Sequence, residues 1–154
     1  NLNGRRFEDI SEKLGPPITT PKASRGCAFG DFDNDGNTDV VINNIHDTSD
    51  LFRLENSHQN HWVTIQLTGV QSNRSAIGAR VRCVTQGATQ AEEVRGGGSY
   101  LSQNDLRVHF GLGQASSIER LEVRWPNGLE EEWTGLQVDR ILAHKEGSGK
   151  RLKP

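Results

Sequence analysis

Residues 31–39 read Asp-Phe-Asp-Asn-Asp-Gly-Asn-Thr-Asp, DFDNDGNTD, placing aspartates at positions 1, 3, 5 and 9 of a nine-residue loop with Gly36 at position 6. Four carboxylates in so short a segment repel one another, and without a partner they take up protons or raise the free energy of the fold. A hard cation removes the conflict. Calcium takes six to eight oxygen ligands at about 2.3–2.6 Å, with carboxylates the preferred source. The alternate spacing predicts that Asp31, Asp33 and Asp35 turn toward one centre. Gly36 permits the sharp turn, Asn37 gives its backbone carbonyl, and Asp39 closes the site. An Asx-rich solvated turn without metal needs one or two aspartates rather than four in register.

The flanks decide what kind of loop this is. Its first seven positions resemble the start of an EF-hand loop, but an EF-hand requires a bidentate Glu at position 12, and position 12 here is Ile42. Cys-Ala-Phe-Gly precedes the loop and Val-Val-Ile-Asn follows it. Both stretches are short, apolar and rich in strand formers, so the loop is expected to join two strands rather than two helices.

From His61 onward the sequence keeps a period of two. Trp62 to Leu67, Ala79 to Val84, Leu106 to Phe110 and Leu121 to Trp125 alternate apolar and polar residues. Turn residues separate these runs, and Pro126-Asn127-Gly128 is the clearest hairpin signal. Short strands with little helix predict an all-β fold, an antiparallel sandwich or barrel. Ile65, Leu67, Val81, Val108, Phe110, Leu121, Val123 and Trp125 are expected on its inward faces. Near the N-terminus Asn3-Gly4 signals a turn, Ile10 to Leu14 suits a strand or a single helical turn, and Pro16-Pro17 ends either. The basic, glycine-containing tail from Gly147 is expected to fray.

Composition narrows the function. Among 154 residues the net charge is −2, which gives no reason to expect nucleic acid or an anionic membrane surface as partner. No apolar run approaches the roughly 20 residues of a membrane span. The chain starts at Asn1 and has no Met, which reads as excision from a longer precursor, with any signal peptide out of view. Weak calcium sites belong to extracellular modules, so an extracytoplasmic protein, periplasmic or secreted, is expected. Cys27 and Cys83 sit at apolar strand positions and are read as two separate buried thiols, although one disulfide remains compatible.

Other candidates carry less. Gly96-Gly97-Gly98-Ser99 lacks the Lys-Ser/Thr of a phosphate loop, and Ser99 and Ser102 lack the context of a nucleophile elbow. The five histidines show no zinc spacing. No catalytic residues are identified, and a non-enzymatic protein is expected. Trp62 and Trp125 align with core aliphatics, while Trp133 and Tyr100 are candidates for exposure. The Glu130-Glu131-Glu132 run reads as a solvated face.

Two longer patterns point to a family. Arg25 to Asn44, RGCAFGDFDNDGNTDVVINN, resembles an FG-GAP repeat, the calcium-bearing blade element of integrin-type β-propellers. NHWVTIQL at 60–67, NRSAIGARV at 73–81, GGGSYLSQNDLRVHFGLG at 96–113 and VRWPNG at 123–128 resemble the ASPIC/UnbV domain of the cartilage acidic protein family. The resemblance implies calcium ligation by Asp31, Asp33, Asp35, Asn37 and Asp39. It divides the chain into a calcium-binding repeat of propeller-blade type over 1–56, an ASPIC/UnbV β-sandwich over 57–147, and a flexible tail over 148–154. A closed propeller needs several blades. Either the remainder lies in a missing N-terminal part, or a single repeat packs on the sandwich. The family implies an adhesion, matrix or assembly role. Binding is then expected on the sandwich loops, with Arg74, Tyr100, Gln103 and Asn104 as the surface for a protein partner. A carbohydrate-binding module, using exposed aromatics, is the alternative.

Overall fold

A computed structural model describes residues 5–55 and 60–152. The Asn3-Gly4 turn signal and the expected domain boundary at 56/57 lie outside the described residues. Two single helical turns, α1 (Ser11–Leu14) and α2 (Pro16–Thr19), open the chain, and neither buries a residue. Everything after them is β. Among the described residues no helix is long and apolar enough to cross a membrane.

Among the described residues the strands form three sheets, none of them closed. The first is a meander of β1 (Ser24–Gly30), β2 (Asp39–Asn44) and β3 (Asp50–Phe52). Its β1–β2 connection is the aspartate loop, so the loop does join two antiparallel strands. The second sheet contains β4 (His61–Thr68), β7 (Val108–Gly113) and β10 (Arg140–Lys145), in the order β10-β4-β7. The third contains β5 (Arg80–Thr85), β6 (Ala88–Glu93), β8 (Ser117–Arg124), β9 (Glu130–Gln137) and β11 (Lys150–Arg151), in the order β11-β9-β8-β5-β6.

The second and third sheets share one core, as the alternation requires. Val63, Ile65 and Leu67 of β4, with Val108, Phe110 and Leu112 of β7, belong to the same buried cluster as Val81 and Cys83 of β5, Ile118, Leu121 and Val123 of β8, and Trp125. All eight inward positions expected from the sequence are buried. Phe110 is almost fully enclosed. Phe110→Ala is expected to lower unfolding free energy by about 3–5 kcal/mol in chemical denaturation; a loss below ~1 kcal/mol would show that the site collapses or that the ring contributes little.

Four expectations need correction. None of the sheets closes, so the barrel alternative falls. The sheets are not wholly antiparallel, because β10 runs parallel to β4, with Leu142 opposite Ile65. The tail does not fray from Gly147. β11 pairs with β9, and Leu152 donates its N–H to the Glu130 carbonyl. Glu131 is not solvated: it is one of the largest buried side chains. Its carboxylate accepts hydrogen bonds from Trp125 Nε1 at 2.7 Å and from the Gly147 and Gly149 N–H groups, each at 2.9 Å. Glu130, by contrast, is exposed and faces Arg124 across the hairpin, its Oε1 3.6 Å from Arg124 Nε.

Cys27 and Cys83 are both free thiols, Cys27 half-buried and Cys83 buried. Burial pushes the Cys83 thiol up to about 11, so it stays protonated and packs as a small apolar side chain.

Candidate functional site

The aspartate loop is folded by its own carboxylates. Asp31, at the end of β1, accepts N–H groups of Asp35 at 3.1 Å and Gly36 at 2.9 Å. Asp39, at the start of β2, accepts those of Phe32 at 3.1 Å and Leu54 at 2.8 Å. Asp33 accepts the Asp35 N–H at 3.3 Å. These are the bonds by which Asx residues compete with regular secondary structure, and here they curl the chain between two strands. Asn34 and Gly36 supply the positive φ angles, 61° and 91°.

One oxygen from each of Asp31, Asp33 and Asp39 lies within 4.8 Å of the other two. That span suits oxygens arranged around one ion at about 2.4 Å. Asp31 and Asp39 are 5% and 2% exposed, and among the described residues neither makes a salt bridge. A buried carboxylate without a cation is costly. The donor set therefore fits a hard divalent cation. The Asp35 carboxylate is not among the three that converge. Asp35 Oδ1 accepts the Asn37 N–H at 2.8 Å and its Nδ2 at 2.9 Å. The Asn37 N–H holds the Asp35 carboxyl below its ordinary range, with Arg53 adding to the effect.

Two arginines that the sequence reading did not assign to the loop complete it. Arg53, just beyond β3, places Nε 2.6 Å from Asp33 Oδ2 and Nη2 3.3 Å from Asp35 Oδ2. Arg107 donates to Asn34 Oδ1 at 2.6 Å, the Asp31 carbonyl at 2.7 Å and Asp105 Oδ2 at 2.6 Å. The Arg107 guanidinium thus ties the loop to the segment that leads into β7.

The outer face of β4 and β7 receives the loop. Thr64 and His109 lie opposite one another there, with Thr64 Oγ1 3.0 Å from His109 Nδ1. Trp62 stacks on His109, ring centroids 6.0 Å apart, and the Gly36 backbone rests on the indole. Burial lowers the His109 pKa, which favours the neutral ring in the contact.

The loop around residues 99–105 is fastened to the β1–β2 hairpin. Ser102 Oγ accepts the Cys27 N–H, Asn104 Oδ1 accepts the Phe29 N–H, and Asp105 donates its N–H to the Phe29 carbonyl. These bonds satisfy the outer edge of β1. Asn104 thereby joins the two units. Gln103 is used internally too: it accepts the Gly97 N–H at 2.6 Å and donates to the Asn104 carbonyl at 2.7 Å. A bridge between Ser99 and Ser102 leaves Tyr100 and Leu101 at the tip, 69% and 70% exposed, with Leu101 at φ 49°. Arg74 is exposed on a separate loop. That loop is held by Glu146, whose Oε2 accepts the N–H groups of Val70, Gln71 and Ser72 at 2.6–2.8 Å. All four residues expected to bind a partner are exposed, but the Gln103 and Asn104 side chains are engaged in holding the scaffold.

Between the loop and β4 an open cleft is lined by Asp35, Asn37, Asn60, His61, Trp62, His109 and Asp139. His61 Nδ1 lies 2.7 Å from Asp139 Oδ2, and Asp139 Oδ1 accepts the Trp62 N–H at 3.2 Å. This pair ties the start of β4 to the start of β10.

Residues 69–151 match the family model described as ASPIC and UnbV. The chain is 30% identical over 133 residues to cartilage acidic protein 1 of Xenopus tropicalis, covering 81% of this chain and 20% of that protein. It is 29% identical over 147 residues to the Mus musculus protein of the same name, covering 90% and 21%. The Homo sapiens protein gives 29% over 129 residues, covering 79% and 19%. The chain thus spans about a fifth of the length of the curated relatives it matches. With more than half of its residues matched, including most of the two-sheet core, the chain belongs to the ASPIC and UnbV family.

Proposed function

We propose that this chain is a non-enzymatic, extracytoplasmic β module that contacts other proteins, with a calcium-stabilised FG-GAP-type hairpin packed on an ASPIC/UnbV sandwich. The observation that supports calcium is the convergence of Asp31, Asp33 and Asp39, two of them buried and, among the described residues, without a salt bridge to their carboxylates. Calcium bound there would neutralise the carboxylates and rigidify the turn. Asp35 and the Asn37 carbonyl are the further oxygens that a turn of the loop would bring in. The role is structural, since Arg107 and Trp62 anchor the loop to the sandwich.

The contact reading draws on the Tyr100–Leu101 tip. An exposed aromatic and an exposed aliphatic, one of them in a left-handed backbone conformation that Leu rarely adopts, sit on a fastened loop. Rigid aromatic anchors of this kind dominate protein interfaces. A sugar-stacking face draws less support. Trp62 is covered by Gly36, and Trp133 packs beside His144 with ring centroids 4.4 Å apart. Catalysis draws little. The cleft beside the loop has no Ser or Cys, and its His61–Asp139 pair is occupied in joining strands.

Calcium at ~100 times its dissociation constant is expected to raise stability by roughly 2.7 kcal/mol over the chelated protein. Asp33→Ala, which removes a solvent-facing ligand, is expected to abolish the response. A melt indifferent to chelator and calcium would refute the metal role. For contact, Tyr100→Ala with Arg74→Ala is expected to weaken partner capture with melting nearly unchanged. Capture that survives the double change but fails in Asp33→Ala, with the fold intact, would move the interface to the metal loop.

A further inference from the structure

Arg53 occupies an unusual place among the loop carboxylates. It lies 18 residues beyond Asp35 in the sequence, yet its guanidinium reaches both Asp33 and Asp35. Asp33 belongs to the converging trio, and Asp35 is the residue that the alternate spacing aims at the same centre but that stands apart from it. The two loop aspartates whose carboxylates make no salt bridge among the described residues are the buried ones, Asp31 and Asp39. So the half-exposed carboxylates already hold a guanidinium directly, whereas on the buried side Arg107 reaches only the Asp31 carbonyl.

We propose that Arg53 is a built-in counter-cation that competes with calcium for Asp33 and Asp35, keeping the loop folded when the metal is scarce and yielding those carboxylates when it binds. This rests on the calcium reading above. Charge and geometry argue for it together. A guanidinium within a few ångströms of a divalent ion is repelled by it, and in a half-exposed site that repulsion is reduced but not removed by solvent. Arg53 divides its donors among three carboxylates, the loop's Asp33 and Asp35 and, at 3.7 Å, the exposed Glu55, so it fixes the direction of the two loop groups as well as their charge. If the metal-competent loop requires those carboxylates to be free, apparent affinity falls by the fraction of molecules in which they are free. The same contacts support the loop without metal, so calcium adds less stability than four uncompensated carboxylates would demand.

The test compares the full 154-residue chain with Arg53→Gln and Arg53→Lys. Calcium is titrated by calorimetry and by the fluorescence of Trp62, whose indole touches Gly36. Melting is measured in chelator and in saturating calcium. Arg53→Gln is expected to bind calcium about tenfold tighter at low ionic strength, to melt lower in chelator, and to gain more on calcium addition. Arg53→Lys keeps the charge without the planar fork and is expected to fall between the two. Equal or weaker calcium binding by folded Arg53→Gln overturns the competition and makes Arg53 a support for the liganded loop. Calcium binding by none of the three proteins overturns the calcium reading itself, and the competition with it.

Discussion

Gly36→Ala is expected to destabilise the protein by about 2–4 kcal/mol, through two effects at one atom. The φ of Gly36 is 91°, a conformation in which any L side chain is strained. The added Cβ would also lie 2.1 Å from the Trp62 ring, where no real Cβ fits. The indole cannot slide away easily, because it stacks on His109 and His109 pairs with Thr64. The loop must therefore lift from the sandwich, weakening the Asp31 bonds to Asp35 and Gly36. Gly128→Ala separates the two effects. Gly128 has a similar φ of 90°, but a Cβ there would meet nothing within 4 Å. It should show the conformational strain alone, about 1–2 kcal/mol. Trp62→Ala combined with Gly36→Ala should recover the steric part, giving a favourable interaction energy in a double-mutant cycle. Equal losses for Gly36→Ala and Gly128→Ala in denaturant titrations would show that the indole contact contributes nothing.

The docking of that loop marks where sequence reading stops. The core strands were legible because a half-buried strand must place apolar side chains on every second residue, and β4, β5, β7 and β8 do so. β10 was not legible. Its Ile141 and Leu142 are adjacent, and His144 reads as polar although its ring lies against Trp133. Its parallel pairing with β4 also joins segments almost 80 residues apart, which no local pattern encodes. The loop shows the same division. The Asp spacing announced a folded acidic turn at once. That Asp35 turns toward Asn37 and Arg53, rather than toward the trio, depends on an arginine beyond the next strand. A basic residue a short hairpin away from an acidic loop was the available signal. Arg107 carried none, since its loop partners lie more than 70 positions upstream. The 96–104 loop is legible as polar and Gly-rich, but only the hydrogen bonds of the folded chain reveal that the Asn104 and Gln103 side chains act as fasteners, Asn104 to β1 and Gln103 within its own loop.

Glu131 is the residue whose replacement should be most damaging outside the apolar core. Its identity within an acidic run suggests solvent, whereas the structure makes it the acceptor for three donors on two separate segments. Trp125 Nε1 reaches it from the turn after β8, and the Gly147 and Gly149 N–H groups reach it from the turn before β11. Space is equally tight, because a Cβ on Gly149 would come within 2.6 Å of the Trp133 ring and 3.0 Å of Glu131 Cβ. Glu131→Ala leaves three donors without their acceptor, one of them on a buried indole, and opens a void beside it. The effects overlap, so the expected loss is about 3–5 kcal/mol rather than the sum of three separate bonds. Glu131→Gln keeps the volume and one acceptor oxygen, but turns an amide N–H₂ toward an N–H group, and is expected to lose about 1–3 kcal/mol. Glu130→Gln, on the exposed neighbour, should stay within about 0.5 kcal/mol of the native protein. Amide exchange adds a positional readout: the Gly147 and Gly149 N–H groups should lose protection in both Glu131 variants and keep it in Glu130→Gln. If Glu131→Ala unfolds no more readily than Glu130→Gln, the C-terminal turn is held by β11 pairing alone and the buried carboxylate is dispensable.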